Sequence, residues 1–361
     1  MLFKASTVFA VLAIAFSPAT AAPRPVTSRS DGYGNAITQD APFSQTEAQF
    51  AAFPLICPYG VSQARVNKNI LFIPPTAASG TNSFSKGYVP ALRAQGFFPC
   101  YVNMPNHSLA DAQVTSEHVV KQIDAMYARA GNRPFTISGH SQGNINIQWA
   151  LNFWPSRRTK VLNYVGLSAD YHGTALGQLV LAAQRATVMG GSPAVIQQSI
   201  ILGRNPHYID ALNKHGNQPL VPTTSLFGQQ DEVVQPIAYS SRLDNTPVPN
   251  SFSHIDLSAA CAGRTAGTID HLRTLLIAPA FWLLVDAIQT GGIADLDRAR
   301  NLALAQKQDF CSDIVPGATD QSLVNLVKTV WQAVIQVGTN QFLSQTTKTE
   351  PALMPYAANQ P

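Results

Sequence analysis

Charge is what this sequence has least of. Only 12% of its residues are Asp, Glu, Lys or Arg, and the net charge is +4. Disordered chains combine high charge with few apolar residues. With 45% of its residues hydrophobic, this chain has the material for a large packed core under a polar, weakly charged skin. The small positive excess is dispersed, with no Lys/Arg stripe, which argues against a nucleic-acid partner. Cysteine is sparse as well: Cys57, Cys100, Cys261 and Cys311 are the whole set. None falls in the C-x-x-C spacing of a zinc or redox site, and no metal or cofactor is expected. Beyond the N-terminus no uninterrupted apolar run reaches membrane-spanning length, so no transmembrane segment is expected. Internal repeats and dividing linkers are also missing.

The N-terminus has the form of a secretion signal. Lys4 precedes an apolar stretch from Val8 to Phe16, and Pro18 then leads into Ala19-Thr20-Ala21, an A-x-A type cleavage site. The apolar part is too short to span a bilayer. Residues 1–21 are therefore read as a signal peptide. Residues 22–40, rich in Ser, Pro, Gly and Arg and without a period, are read as a flexible leader or pro-segment. An exported chain meets an oxidising compartment, so the four cysteines are expected as disulfides. Of the three possible pairings, the two bridges local in sequence, Cys57–Cys100 and Cys261–Cys311, are favoured. Asn106-His107-Ser108 is an N-glycosylation sequon just ahead of a helical stretch, a possible modification site.

Strand-like and helix-like segments alternate. Asn69 to Pro74, Gly96 to Val102, Pro134 to Ser138, Lys160 to Ser168, Thr223 to Phe227 and Ser253 to Leu257 read as strands. Phe84 to Gln95, Leu109 to Ala130 and Gln142 to Phe153 read as helices. Such βαβ alternation predicts an α/β protein with a mainly parallel sheet and helices on both faces. Residues 41–361 are read as a single catalytic domain. Two stretches fit the alternation poorly. Thr174 to Ile200 carries Leu179 to Ala183 and then Gly190-Gly191. Thr268 to Thr290 carries the apolar run Leu275 to Val285. Both suit buried core helices or cap elements walling an apolar pocket. The cap reading is preferred, with Gly190-Gly191 as a hinge.

Gly139-His140-Ser141-Gln142-Gly143 is a G-x-S-x-G pentapeptide between a strand and a helix. A serine hydroxyl is a poor nucleophile unless it is held out beside a base. A sharp strand-to-helix turn does this, and its crowded backbone needs small residues on either side. Ser141 is therefore the candidate nucleophile. In sheets of this kind the acid and then the base follow along the chain. Asp231 comes next after the strand ending at Phe227, through the turn Gly228-Gln229-Gln230, which puts it at a strand's C-terminal end with the elbow. His271 lies past the last strand and is the candidate base. His172, His207 and His215 precede the acid, and His254 sits inside a strand. Asp270 and Glu232 are read as solvated neighbours. The negative charge of a tetrahedral intermediate needs preset donors. The backbone N–H of Gln142 and the N–H and hydroxyl of Thr76, in the loop after the first strand, are the candidates for this oxyanion hole.

With these residues assembled, the chain resembles the fungal lipases typified by Candida antarctica lipase B, members of the α/β-hydrolase superfamily. The similarity runs from about Ala41 to the C-terminus. It rests on Ile73-Pro74-Pro75-Thr76, Ser141-Gln142-Gly143, Leu167 to Gly173, Val221 to Thr224, Asp231 to Pro236, Ile269-Asp270-His271 and Leu353 to Ala357. The resemblance implies an α/β-hydrolase fold with small cap or lid helices, and the same roles for Ser141, Asp231, His271, Thr76 and Gln142. It also implies that Asp170 and Gln198 line the acyl side of the pocket, and both cysteine pairs match bridges of that family. Three departures stand out. A third disulfide of the family is missing, Pro75 replaces a glycine, and His140 stands where the family has a tryptophan flooring the alcohol-side pocket. By that comparison His140 is expected to enlarge and wet the pocket.

The function expected is that of a secreted, extracellular serine ester hydrolase. It would cleave esters such as triacylglycerols through an acyl-enzyme, as a monomer, at an oil–water interface. An esterase or acyltransferase for smaller soluble esters is the alternative. A non-catalytic lipid carrier on a hydrolase fold, and a peptidase, are more remote.

Overall fold

The computed structural model describes residues 36–64, 67–175, 191–244, 246–264, 267–318, 328 and 346–360. The expected signal peptide, most of the leader and residues 176–190, with Gly190 of the expected hinge, lie outside the described residues.

Six strands form one sheet: β1 Asn69–Ile73, β2 Phe98–Tyr101, β3 Phe135–His140, β4 Val161–Leu167, β5 Thr223–Phe227 and β6 Phe252–Asp256. The order across it is β2-β1-β3-β4-β5-β6, and every adjacent pair is parallel. The expected strands all appear, most of them trimmed at their ends. β1 shows why parallel strands read as unbroken apolar runs, since both faces are covered. Ile70 and Phe72 enter one core with Val165, Leu167 and Leu226. Leu71 and Ile73 enter a second core with Ile137 and Val161. The strand's two-residue period divides the molecule into these two layers.

On the first face lie α1 Tyr88–Ala94, and on the second α2 Ala112–Arg129 and α3 Gln142–Phe153. The expected single helix from Phe84 to Gln95 is corrected. Gly80–Phe84 and Tyr88–Ala94 are separate helices, and Gly87 breaks them with φ −114° and ψ −90°. The cap reading of Thr268 to Thr290 is corrected too. Its apolar run enters α4 Ala278–Thr290, whose residues Ala278 to Ile288 are all buried, and all but Pro279 and Asp286 belong to the first core. A helix apolar on every side needs protein all round it, and this one finds it between the sheet and the following helix, α5 Leu296–Ala305. Of the other stretch, Gly191 to Ile200 is described. It contains the short helix Pro193–Gln198, and Ser199 pairs with Thr174 beyond the end of β4.

Cys57 is bonded to Cys100 and Cys261 to Cys311, the favoured pairing. The second bridge ties the segment after β6 to the segment after α5 across a sequence separation of 50 residues. Replacing Cys261 and Cys311 together by serine is expected to cost about 2–4 kcal/mol of stability. Urea unfolding followed by far-UV circular dichroism checks this, and an unchanged midpoint would contradict it.

Candidate active site

β3 ends at His140 and α3 begins at Gln142, so the whole strand-to-helix turn is Ser141. Its backbone lies at φ 52° and ψ −129°, a conformation that costs a non-glycine residue about 1–3 kcal/mol unless its surroundings impose it. Close packing behind the turn supplies part of that constraint. A Cβ on Gly143 would sit 2.4 Å from the Ile73 carbonyl oxygen and 2.9 Å from that of Pro74. The start of α3 therefore rests directly on the end of β1, which only glycine allows. That contact brings the loop after β1 to the same place. Thr76 Oγ1 donates a hydrogen bond of 2.6 Å to Gln142 Oε1. The backbone N–H of Gln142 belongs to the first turn of a 12-residue helix, where N–H groups lack intrahelical acceptors and the helix dipole is positive.

Asp231 and His271 meet beyond the ends of β5 and β6. His271 Nδ1 lies 2.9 Å from Asp231 Oδ2 and 3.1 Å from Oδ1, with both side chains buried. A carboxylate only accepts, so Nδ1 carries the proton and Nε2 keeps its lone pair. The N–H groups of Val233 and Val234 also donate to Asp231 Oδ1, at 3.0 and 2.8 Å. Burial alone would push this carboxyl up. The His271 charge and hydrogen bond, the Val234 N–H and the Ser168 hydroxyl outweigh it and hold the pKa below the ordinary carboxylate value. Burial likewise opposes the charged imidazole of His271. The Asp231 carboxylate, helped by Glu232 and Asp170, overrides it and raises the His271 pKa above the ordinary 6.5. The pair is thus set to accept a proton at Nε2 while the carboxylate stays ionised.

The two halves of the site are joined through His140. Its Nε2 lies 2.9 Å from the carbonyl oxygen of His271, and the two rings pack with centroids 4.7 Å apart. This brings the base against the residue directly before Ser141. The Ser141 hydroxyl itself makes no hydrogen bond to a described residue, and it turns about a single bond. His140 does not wet a pocket. It is fully buried: its Nε2 faces the His271 carbonyl and its Nδ1 has no hydrogen-bond partner among the described residues, while burial and then the neighbouring His271 push its pKa down to about 3, leaving it neutral.

Glu232 and Asp270 are more than solvated neighbours. Glu232 Oε2 accepts the His271 backbone N–H at 3.1 Å, and Asp270 Oδ1 accepts those of Leu272 and Arg273 at 3.1 and 2.9 Å. Together they fix the backbone on either side of the imidazole. Three other histidines are engaged elsewhere: His172 with Asn217 and Asp244, His207 with Glu350, and His254 with Ser241. Gln198 is buried, but its Nε2 donates to Ala194 within its own helix. Its backbone carbonyl accepts the Thr174 N–H at 2.8 Å. Asn106 is half-buried in the tight turn Pro105–Ser108, and the Ser108 of its sequon is buried.

Comparison with known proteins agrees with this architecture. The chain is 32% identical over 330 residues to lipase B of Pseudozyma antarctica, covering 88% of this chain and 86% of that one. The chain belongs to the lipase B family. The crystal structure of Aspergillus fumigatus lipase B superposes with a TM-score of 0.75 at 27% identity, over 88% of this chain and 73% of that one. No family model matches the chain. The six-stranded parallel sheet with helices on both faces is that of the α/β-hydrolases, to which this lipase B family member belongs.

One buried group in this family member has an unusual charge balance. Neither carboxyl oxygen of Asp170 has a hydrogen-bond partner among the described residues, and burial raises its pKa from 3.8 to about 7. Between those two values the folded state holds a proton that the unfolded state has released. Stability therefore falls as pH rises through that window and stays reduced above it. Asp170→Asn removes the penalty. In calorimetry the variant is expected to melt above the wild type at pH near 8, with the gap closing as pH falls to about 4. A gap independent of pH would contradict the assignment.

Proposed function

We propose that this protein is a secreted serine hydrolase that cleaves carboxylic esters, with triacylglycerol-type lipids as substrates. The observation that carries the proposal is the buried Asp231–His271 pair lying against the residue that precedes a serine held in a strained strand-to-helix turn. Membership of the lipase B family supports the same reading.

The steps follow from these groups. Ser141 Oγ attacks the ester carbonyl carbon and passes its proton to His271 Nε2. Asp231 holds the imidazole in the required tautomer and stabilises the imidazolium that forms. The carbonyl oxygen becomes an oxyanion and takes hydrogen bonds from the Gln142 N–H and from Thr76, each worth about 3 kcal/mol in a water-poor site. His271 then protonates the departing alcohol, leaving an acyl group on Ser141. A water molecule, deprotonated by His271, attacks that acyl group; the bond to Ser141 Oγ breaks, His271 returns the proton to Oγ, and the fatty acid leaves. Asp170 and Gln198 lie on the acyl side in this reading.

Export is supported by the N-terminal segment and by the two disulfides. Among the described residues no helix is long and apolar enough to cross a membrane.

Ser141→Ala is expected to lower p-nitrophenyl butyrate turnover by about 10⁴-fold or more, and to abolish labelling by a fluorophosphonate. Turnover near the wild-type rate would end the proposal. Rates on tributyrin emulsion that fall well below those on short soluble esters would replace a lipase by an esterase. The base must be neutral to act, and its pKa is raised. The acid limb of kcat/KM against pH is therefore expected to have its midpoint above 6.5. A midpoint below that value would contradict His271 as the base.

A further inference from the structure

Asn144 is fully buried in the first turn of α3, three residues past Ser141, in a helix that also buries Gln142, Asn146, Gln148 and Asn152. Its side-chain Nδ2 donates to the carbonyl oxygen of Ser141 at 3.0 Å and to that of Leu167 at 2.9 Å. Its Oδ1 accepts the hydroxyl of Tyr164 at 2.6 Å. The orientation of the amide follows from the chemistry. Two carbonyl oxygens only accept, so the NH₂ end must face them and the oxygen must face the phenol. The Asn144 backbone N–H donates to the same Ser141 carbonyl at 2.9 Å, and the Leu167 carbonyl also accepts the Ser141 N–H at 3.0 Å. Both backbone polar groups of the serine are thus closed onto one amide and one strand-end carbonyl.

Space for this amide is reserved on two strands. A Cβ on Gly139 would lie 2.8 Å from Asn144 Oδ1. One on Gly166 would lie 2.9 Å from the Tyr171 hydroxyl, 3.0 Å from the same Asn144 atom and 3.4 Å from the Tyr164 hydroxyl. Alanine at Gly139 would meet the Asn144 amide and the α3 backbone at Gly143 and Asn144, and alanine at Gly166 would crowd the amide and the Tyr171 hydroxyl.

The consequence lies in the next peptide unit. The Ser141 carbonyl and the Gln142 N–H are opposite ends of one planar peptide, so whatever fixes the direction of the first fixes the direction of the second. We propose that Asn144, held by Tyr164, is a positioning residue for the oxyanion hole: its amide clamps the Ser141 carbonyl and so aims the Gln142 N–H at the developing charge. This rests on the reading of Ser141 as nucleophile and Gln142 as oxyanion donor. A donor aimed in advance costs no reorganisation when charge develops. The clamp therefore acts on the transition state and leaves binding of the uncharged ester unchanged.

The test uses Asn144→Leu, which keeps the volume and removes both donors, and Tyr164→Phe, which removes only the hydroxyl that orients the amide. Three quantities are measured: kcat and KM for p-nitrophenyl butyrate, and the inhibition constant of butaneboronic acid, which forms a tetrahedral adduct on a nucleophilic serine. For Asn144→Leu, kcat is expected to fall about 10- to 100-fold with KM within about twofold of wild type, and the boronate to weaken by a factor similar to the loss in kcat. Tyr164→Phe is expected to shift kcat and boronate binding the same way by a smaller factor, and it decides alone if Asn144→Leu does not give a cooperative melting curve. A folded variant whose kcat and boronate affinity stay within about twofold of wild type overturns the proposal. So does one whose loss is confined to KM, or whose kcat falls while the boronate binds as before. Full turnover by Ser141→Ala would instead overturn the reading on which the proposal rests.

Discussion

Everything at this site depends on one residue held in a backbone conformation it would not adopt alone. A serine at φ 52° and ψ −129° is strained, and the strain persists only because the surroundings over-determine it. Four parts of the sequence converge to do so. Gly143 lets the helix start rest on the end of β1, and Leu167 receives the serine N–H. Asn144 takes its carbonyl, and His140 ties the preceding residue to the loop of the base. None of these contacts involves the hydroxyl, which stays clear of all of them. The strand order places the turn at the C-terminal edge of the sheet with the loops after β1, β4 and β5, and the base follows β6. A parallel sheet presents functional groups together at this edge.

The second organising feature is the opposite behaviour of two buried carboxyls. Asp231 has a histidine and two backbone N–H groups around it and is stabilised as an anion. Asp170 has no hydrogen-bond partner among the described residues, and burial leaves it half protonated near neutral pH. Similar depth with different partners sets the two groups to different charge states. Asp170 still helps to raise the His271 pKa, so the two titrations are linked through the imidazole.

The sheet was legible in the sequence because its buried strands are short runs rich in apolar or β-branched residues beside proline or glycine, as at Asn69–Ile73 before Pro74 and at Phe135–His140 after Pro134. The elbow was legible because its glycines answer a steric need. The apolar run at Leu275 to Val285 was misread because a helix apolar on all sides does not state what covers it, and here the cover is the sheet itself. Asn144 was missed for a related reason. Its helix buries four other Asn and Gln side chains, and nothing in the sequence says that this one meets the Leu167 carbonyl and the Tyr164 hydroxyl of β4. Glu232 is exposed and Asp270 half-buried, and the hydrogen bonds they make were not legible because the backbone N–H groups they receive exist only once the loop carrying His271 has folded against them.

The most direct measurement is a crystal structure of the protein inactivated by an alkyl phosphonate. The account predicts phosphorus bonded to Ser141 Oγ, with the phosphoryl oxygen about 2.7–3.1 Å from the Gln142 N–H nitrogen and from Thr76. It also predicts that the Asn144 amide still grips the Ser141 carbonyl. Phosphorus on another residue, or a phosphoryl oxygen turned away from Gln142 and Thr76, would contradict it.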